Sequence, residues 1–299
     1  VMERQDMQGI FVPLITPFSL DGGLDLASYR NYVGNLLSHD IQGLVINGTT
    51  GEAPTVRWEE VMQLTKSTQE LLESKKLSVP VVVGTGTNDT ASTVQRTEMA
   101  ADIGADAVLV VVPYYSKPSQ QGIIEHFRRV TQVGVPVIAY EIPSRTGISI
   151  SMDTARKILD MSGVIGIKDS SDSLELVSEL ARSGSGPVLC GDDLQFHAKL
   201  SQGASGGMLA SANVNTQAFI DVYHLFRRGD VIAAQRSFDR VTPLIRKLFQ
   251  ESNPSPLKWI LASQGLIASD QLRLPMTSIS MELEAELERL LPSFIQSSE

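Results

Sequence analysis

Gly163-Val164-Ile165-Gly166-Ile167-Lys168-Asp169 is a short, strand-like apolar run that delivers a single lysine at its end. Its apolar residues are contiguous rather than alternating, the pattern of a strand buried on both faces, as in a parallel sheet covered by helices. An amphipathic helical pattern, Leu174 to Ala181, follows it. The segment therefore reads as one strand-then-helix unit, with the strand at Val164 to Lys168.

Seven more units of the same kind surround it. The other strand candidates are Ile10 to Ile15, Gly43 to Asn47, Val79 to Gly84, Ala107 to Val112, Val135 to Tyr140, Pro187 to Cys190 and Gly206 to Ala210. The other helical patterns are Leu26 to Leu37, Trp58 to Leu72, Thr90 to Ile103, Gln121 to Val130, Met152 to Leu159, Leu194 to Leu200 and Ala218 to Arg227. Eight such repeats predict an α/β fold, a closed (β/α)8 or TIM barrel. An open doubly wound sheet is the rival, but no Gly-x-Gly-x-x-Gly turn follows the first strand, and Gly84-Thr85-Gly86 stops short of one. After about Gly229 the strands cease and three helical patterns follow, near Val231 to Phe249, Pro256 to Gln264 and Met281 to Leu291. Ser252-Asn253-Pro254-Ser255-Pro256 separates the first two, with proline suited to a first helical turn. The expected organisation is a catalytic barrel over residues 1–229 and a helical extension, residues 230–299, packed on it.

Composition narrows the possible functions. With 299 residues, 42% hydrophobic and 20% charged, the chain is globular and long enough for a substantial core, and α/β barrels routinely use about 250 residues as one domain. Thirty-four acidic against 25 basic residues give a net charge of -9 with no basic block, which argues against a nucleic-acid partner. The single cysteine, Cys190, leaves no intrachain disulfide and no cysteine-rich metal site, as in a reducing compartment. No apolar stretch approaches the ~20 residues of a membrane span, and Val1-Met2-Glu3-Arg4-Gln5-Asp6 does not resemble a secretion signal. A cytoplasmic protein with no membrane partner is expected.

In a barrel of this type, function sits at the carboxyl ends of the strands. A lysine there that loses hydration is disfavoured as an ammonium, so its amine can attack a carbonyl and form a Schiff base. The plainer alternative for Lys168 is a solvated side chain or a pair with Asp169. Strand two ends in Asn47-Gly48-Thr49-Thr50-Gly51-Glu52, whose hydroxyls and free N–H groups suit a carboxylate or phosphate oxygen, or form an ordinary polar turn. Pro113-Tyr114-Tyr115 and Tyr140-Glu141-Ile142-Pro143-Ser144-Arg145 end strands four and five. Their phenols are either packing groups or proton relays, and the Arg145 fork matches a carboxylate. Lys117 in a polar loop and Lys258 in the extension lack the apolar approach of Lys168. His39, His126, His197 and His224 fall in helical patterns, so a metal-dependent aldolase is poorly supported. Asp192-Asp193 reads as a helix start rather than a metal ligand pair.

Gly48-Thr49-Thr50-Gly51-Glu52, Pro113-Tyr114-Tyr115, Tyr140 with Pro143-Ser144-Arg145-Thr146-Gly147, and Gly166-Ile167-Lys168 together resemble the signatures of the dihydrodipicolinate synthase and N-acetylneuraminate lyase family of class I aldolases. Asn253-Pro254 and Leu274-Pro275-Met276 extend the likeness to nearly the whole chain. The resemblance implies that Lys168 forms an imine with pyruvate, with no other cofactor and no metal, and that the enamine attacks L-aspartate 4-semialdehyde. The product is 4-hydroxy-tetrahydrodipicolinate, in the first committed step of diaminopimelate and lysine biosynthesis. The Arg145 element favours this synthase branch over the sugar-acid lyases. By the same resemblance Thr49, Tyr115 and Tyr140 form a proton relay, with Tyr115 supplied across the interface of a homodimer or homotetramer. Thr50 holds the pyruvate carboxylate, Arg145 the carboxylate of the aldehyde substrate, and Gly191 and Met208 line the pyruvate pocket.

Departures from the family pattern bear on regulation. Glu141 stands where many members have asparagine, and Asp169-Ser170 where glutamate-alanine is common. Lysine-inhibited members carry histidines and a glutamate at positions that here hold Trp58, Val61 and Ser92, although Asn88 and Tyr114 remain. Weak or absent inhibition by L-lysine is therefore expected, unless Glu52 or a neighbouring subunit supplies a carboxylate. Two alternatives stay open: a sibling aldolase that cleaves sialic acid or a hydroxy-oxo acid, and a non-catalytic barrel that binds an oxo acid.

Overall fold

The structure, a computed structural model, describes residues 1–295. Eight parallel strands close into a barrel in chain order: β1 Gly9–Pro13, β2 Gly43–Ile46, β3 Val81–Gly84, β4 Ala107–Val111, β5 Val137–Glu141, β6 Val164–Asp169, β7 Val188–Cys190 and β8 Gly206–Met208. The seam pairs Gly9 with Gly206 and Phe11 with Met208. A Cβ on Gly206 would lie 2.1 Å from the Gly9 carbonyl oxygen, so the backbones meet there only because Gly206 has no side chain. All strands but β4 are buried along their whole length, and β4 breaks the pattern only at Val111, as their contiguous apolar sequences require. Every strand adds a side chain to one apolar cluster, among them Phe11, Val45, Val82, Leu109, Tyr140, Ile165, Leu189 and Met208.

The sequence placed each strand within two residues at either end. β5 and β6 run one residue further than expected because Glu141 pairs with Asp169 in register and its carbonyl still accepts the Ser170 N–H at 2.8 Å. β8 stops short because residues Ala210–Asn213 turn into a 3-10 helix.

The helices are α1 Leu26–Leu36, α2 Trp58–Lys75, α3 Thr90–Asp102, α4 Gln120–Thr131, α5 Pro143–Thr146, α6 Met152–Leu159, α7 Glu175–Arg182, α8 Phe196–Ser201, α9 Thr216–Arg227, α10 Val231–Leu248, α11 Ser255–Ser263, α12 Met281–Leu290 and α13 Pro292–Ile295. Asp25, Asp89, Ser119, Ser151, Asp230 and Ser280 cap their helices, each side chain accepting the third helical N–H, which stabilises a helix end by about 1 kcal/mol. Asp192 likewise accepts the Leu194 N–H and opens the 3-10 turn that leads into α8. The four-residue α5, which starts at Pro143, is too short to leave a periodic trace in the sequence.

The chain divides into two compact units. One takes Val1–Phe11, Gln42–Ile46 and Ser78–Leu209, and so holds nearly all of the sheet with α3 to α8. The other takes Val12–Ile41, Asn47–Leu77 and the chain from Ala210 onward. Within it Tyr29 on α1 shares a 2.6 Å hydrogen bond with Thr68 on α2. Tyr32 bonds to Asn213, whose amide donates to the Pro13 and Ala210 carbonyls at 2.7 and 2.9 Å. Among the described residues no helix is long and apolar enough to cross a membrane.

Candidate active site

Lys168 is the penultimate residue of β6 and only 6% exposed. In register with it on β5 stands Tyr140, and the Lys168 ammonium nitrogen lies 4.1 Å from the centre of the Tyr140 ring. That distance suits a cation–π contact in a desolvated setting. On the opposite side, just past β7, a Cβ on Gly191 would fall 2.7 Å from Lys168 Cε and 2.2 Å from Ser170 Oγ. Gly191 therefore makes the space that the lysine side chain occupies. Met208, at the end of β8, is buried in the apolar cluster that includes Tyr140.

The structure removes both plain readings of Lys168, since a residue 6% exposed is not a solvated side chain. Asp169 is not its partner: the Asp169 carboxylate pairs with Lys199 on α8 at 3.0 Å, with both side chains fully buried. Lys199 also donates to the carbonyls of Asp169 and Ser171, at 3.1 and 2.8 Å. A buried lysine with three oxygens around it anchors the end of β6 and leaves the preceding lysine to the barrel side. Sequence reading passed over Lys199 because a lysine in a short helix carries no sign of burial.

Tyr115 and Arg145 stand on exposed ground. Tyr115 is 88% exposed and holds a left-handed φ of 70°, uncommon for a bulky residue. Its N–H donates to the Thr146 carbonyl at 3.3 Å, which ties it to the segment that carries Arg145 on α5. Within one copy of the chain Tyr115 packs against little.

Thr49 and Thr50 follow the carboxyl end of β2, in a turn set by left-handed Asn47 and Glu52. The turn is closed by Gly51 and Glu52 N–H bonds to the Gly48 and Thr49 carbonyls. Thr16 donates to the Gly51 carbonyl at 2.7 Å, and the Asn253 amide donates to Thr50 Oγ1 at 3.1 Å. The Glu52 carboxylate receives Lys258 at 2.6 Å and the Arg273 N–H at 3.2 Å. Phe18 is flanked by both cations, with Lys258 Nζ 4.3 Å and Arg273 Cζ 4.1 Å from its ring centre. Arg273 then grips Glu60 with two nitrogens, at 2.6 and 2.7 Å.

Lys258 thus differs from its sequence reading. It is wholly buried, and burial pulls its pKa down while Glu52 opposes the shift. It is committed to Glu52 and to the Gln271 carbonyl, so its role is structural. The available hint was its position inside Pro256-Leu257-Lys258-Trp259-Ile260-Leu261, too apolar a setting for an idle lysine. Glu52, once a candidate carboxylate for an effector, is engaged by the same pair. Among the described residues no group of three or more His, Cys, Asp or Glu is placed to hold a metal ion.

The closed barrel sets a buried lysine, the penultimate residue of β6, against a tyrosine of β5, an arrangement that suits the imine chemistry of a class I aldolase. Residues 6–293 match the dihydrodipicolinate synthetase family. The chain is 35% identical over 288 residues to 4-hydroxy-tetrahydrodipicolinate synthase 2 of Clostridium acetobutylicum, covering 95% of this chain and 99% of that one. It is 38% identical over 288 residues to the 4-hydroxy-tetrahydrodipicolinate synthase of Methanothrix thermoacetophila, covering 95% and 96%. The crystal structure of the Cyanidioschyzon merolae DHDPS with lysine bound superposes with a TM-score of 0.92 at 29% identity, over 96% of this chain and 98% of that one. The protein belongs to the dihydrodipicolinate synthetase family.

Proposed function

We propose that the protein condenses pyruvate with L-aspartate 4-semialdehyde to give 4-hydroxy-tetrahydrodipicolinate in the cytoplasm, with Lys168 as the covalent residue. The observation that carries this is the buried amine of Lys168, set against Tyr140 at 4.1 Å in a chain of this family. The amine adds to C2 of pyruvate and the carbonyl oxygen leaves as water, giving an imine. Loss of a methyl proton turns the imine into a neutral enamine, whose C3 attacks the aldehyde carbon while the aldehyde oxygen takes up a proton. The amino group of the second substrate closes the ring at the imine carbon and frees Lys168. Storing the carbanion as an enamine calls for no metal.

Tyr140, Thr49 and Tyr115 are assigned to the proton relay, because each transfer needs a hydroxyl able both to give and to accept. A Tyr115 so exposed within one copy fits donation to a neighbour's site, which makes a homodimer or homotetramer part of catalysis. Thr50, Gly191 and Met208 are assigned to pyruvate, and Arg145 to the second carboxylate. A coupled assay of pyruvate with aspartate semialdehyde, set against cleavage of sialic acid and of 4-hydroxy-2-oxoglutarate, tests the substrate. Faster turnover of either cleavage substrate would transfer the protein to a sibling activity.

Arg145→Ala is expected to weaken use of aspartate semialdehyde while leaving pyruvate adduct formation intact. Losing a hydrogen bond to a charged group costs about 1.5–3 kcal/mol, roughly tenfold to a hundredfold in kcat/KM. If borohydride trapping of pyruvate falls as far as turnover, Arg145 is assigned to the wrong substrate or is structural.

L-Lysine is expected to inhibit weakly or not at all. Its ammonium and carboxylate each need a charged or polar partner once desolvated. Buried Val61 and half-buried Trp58 and Ser92 supply no carboxylate, and Glu52 is spent on Lys258 and Arg273. Titration into the coupled assay at sub-saturating pyruvate decides. Half-inhibition well below a millimolar, a binding free energy beyond ~4 kcal/mol, would show a working effector pocket.

A further inference from the structure

Glu141 ends β5 immediately after Tyr140 and is 2% exposed, an expensive place for a carboxyl group. Its Oε2 accepts the Ile150 N–H at 2.7 Å, while Oε1 is buried with no hydrogen-bond partner. Burial raises its pKa to about 7, with Asp169 adding to the rise. A fold that merely needed to fill this position would do so at less cost with an apolar side chain, so the carboxyl calls for another explanation.

Its single bond supplies one. Glu141 and Ile150 bracket a loop that contains α5 and Arg145. At the start of the loop the Arg145 and Thr146 N–H groups bond to the Ile142 carbonyl, both at 3.0 Å. At its far end Gln120 bonds to the Ser149 carbonyl and the Ser151 N–H, at 3.0 and 2.9 Å. Between these anchors Arg145 is exposed, so its reach is set by where the loop is pinned. The Thr146 carbonyl, in the same loop, also receives the Tyr115 N–H.

We propose that Glu141 is a positioning residue for the aldehyde substrate: its carboxyl closes the 141–150 loop through the Ile150 N–H and so holds Arg145 where the second carboxylate binds. The inference rests on the assignment of Arg145 given above. A neutral carboxylic acid offers Ile150 a carbonyl oxygen, and so does a glutamine amide.

The test compares Glu141→Ala, Glu141→Gln, Arg145→Ala and the Glu141→Ala/Arg145→Ala double variant in two readouts: borohydride-trapped pyruvate adduct, and KM against kcat for aspartate semialdehyde. Glu141→Ala should raise the KM for the aldehyde about three- to tenfold, the scale of one lost hydrogen bond, with adduct formation and kcat little changed. Glu141→Gln should restore the parental KM, and the double variant should be no worse than Arg145→Ala, because the two residues act as one unit. Glu141→Leu, which fills the site with no polar atom to bury, should show the raised KM if the alanine variant folds poorly. An unchanged KM in both the alanine and leucine variants, an equal loss of adduct and turnover, or multiplied effects in the double variant would overturn the inference. An impaired Arg145→Ala beside an unaffected Glu141→Ala overturns this inference alone, whereas a silent Arg145→Ala overturns the assignment of Arg145 as well.

Discussion

Lys168→Ala is expected to abolish the covalent pyruvate adduct and to lower turnover by a factor on the order of 10^4 or more, the scale of removing a covalent nucleophile. Reduction of the protein with borohydride in the presence of pyruvate should add a pyruvyl mass to the peptide containing Lys168, and to no other. Lys168→Arg should fail equally, since a guanidinium keeps its proton and is no nucleophile near neutral pH. The arginine variant matters because it keeps a cation beside the Tyr140 ring, and so separates lost chemistry from lost packing. Label on Lys117 or Lys258, or a trapped adduct in Lys168→Ala, would sink the mechanism. Structure already weighs against Lys258, whose amine is held at 2.6 and 2.7 Å by Glu52 and the Gln271 carbonyl.

The barrel was legible because its strands are short, contiguous and apolar, and each is followed by an amphipathic helix. Burial on both faces leaves that mark on the sequence itself, whereas at the ends of β5 and β6 ladder pairing, not composition, decides the last residue. Glu141 and Asp169 are cases in point: both look like loop residues, yet they pair across β5 and β6. Lys168 was legible for a related reason, since an apolar run that ends in one lysine has few structural uses. The pairing of Lys168 with Tyr140, some 28 residues earlier, is a matter of barrel register that no local pattern contains.

Buried charge was barely legible. Lys199 looks like an ordinary helical lysine and Lys258 had only its apolar neighbours as a hint, while their partners Asp169 and Glu52 lie 30 and 206 residues away. Nothing in the spacing of either pair announces a contact. Glu141 was visible as a departure from the family pattern, but only its bond to Ile150 gives it a task. The exposed left-handed backbone of Tyr115 was equally hidden, because adjacent tyrosines suggest packing before they suggest exposure.

Lys258→Met should be among the most destabilising single changes in the molecule. The variant keeps most of the side-chain volume and removes the charge, so Glu52, only 2% exposed at its side chain, is left as a buried carboxylate without its cation. Breaking a buried ion pair from one side costs about 3–5 kcal/mol, because the remaining charge has lost its water and its partner together. The Arg273 N–H still reaches Glu52 at 3.2 Å, but a backbone dipole does not replace an ammonium at 2.6 Å. Combining Lys258→Met with Glu52→Gln removes both charges and should recover a large part of the loss, since an apolar or neutral pair often costs a fold little. Urea unfolding of the two variants against the parent measures this directly. A loss below about 1 kcal/mol in Lys258→Met would place the pair among solvated surface bridges and contradict its burial. A further loss in the double variant would mean that Glu52 stabilises the turn through Arg273 alone. If the pair behaves as expected, the Thr49-Thr50 turn owes its shape to a charge network more than 200 residues away in sequence, with Asn253 adding its bond to Thr50 from the same stretch of chain.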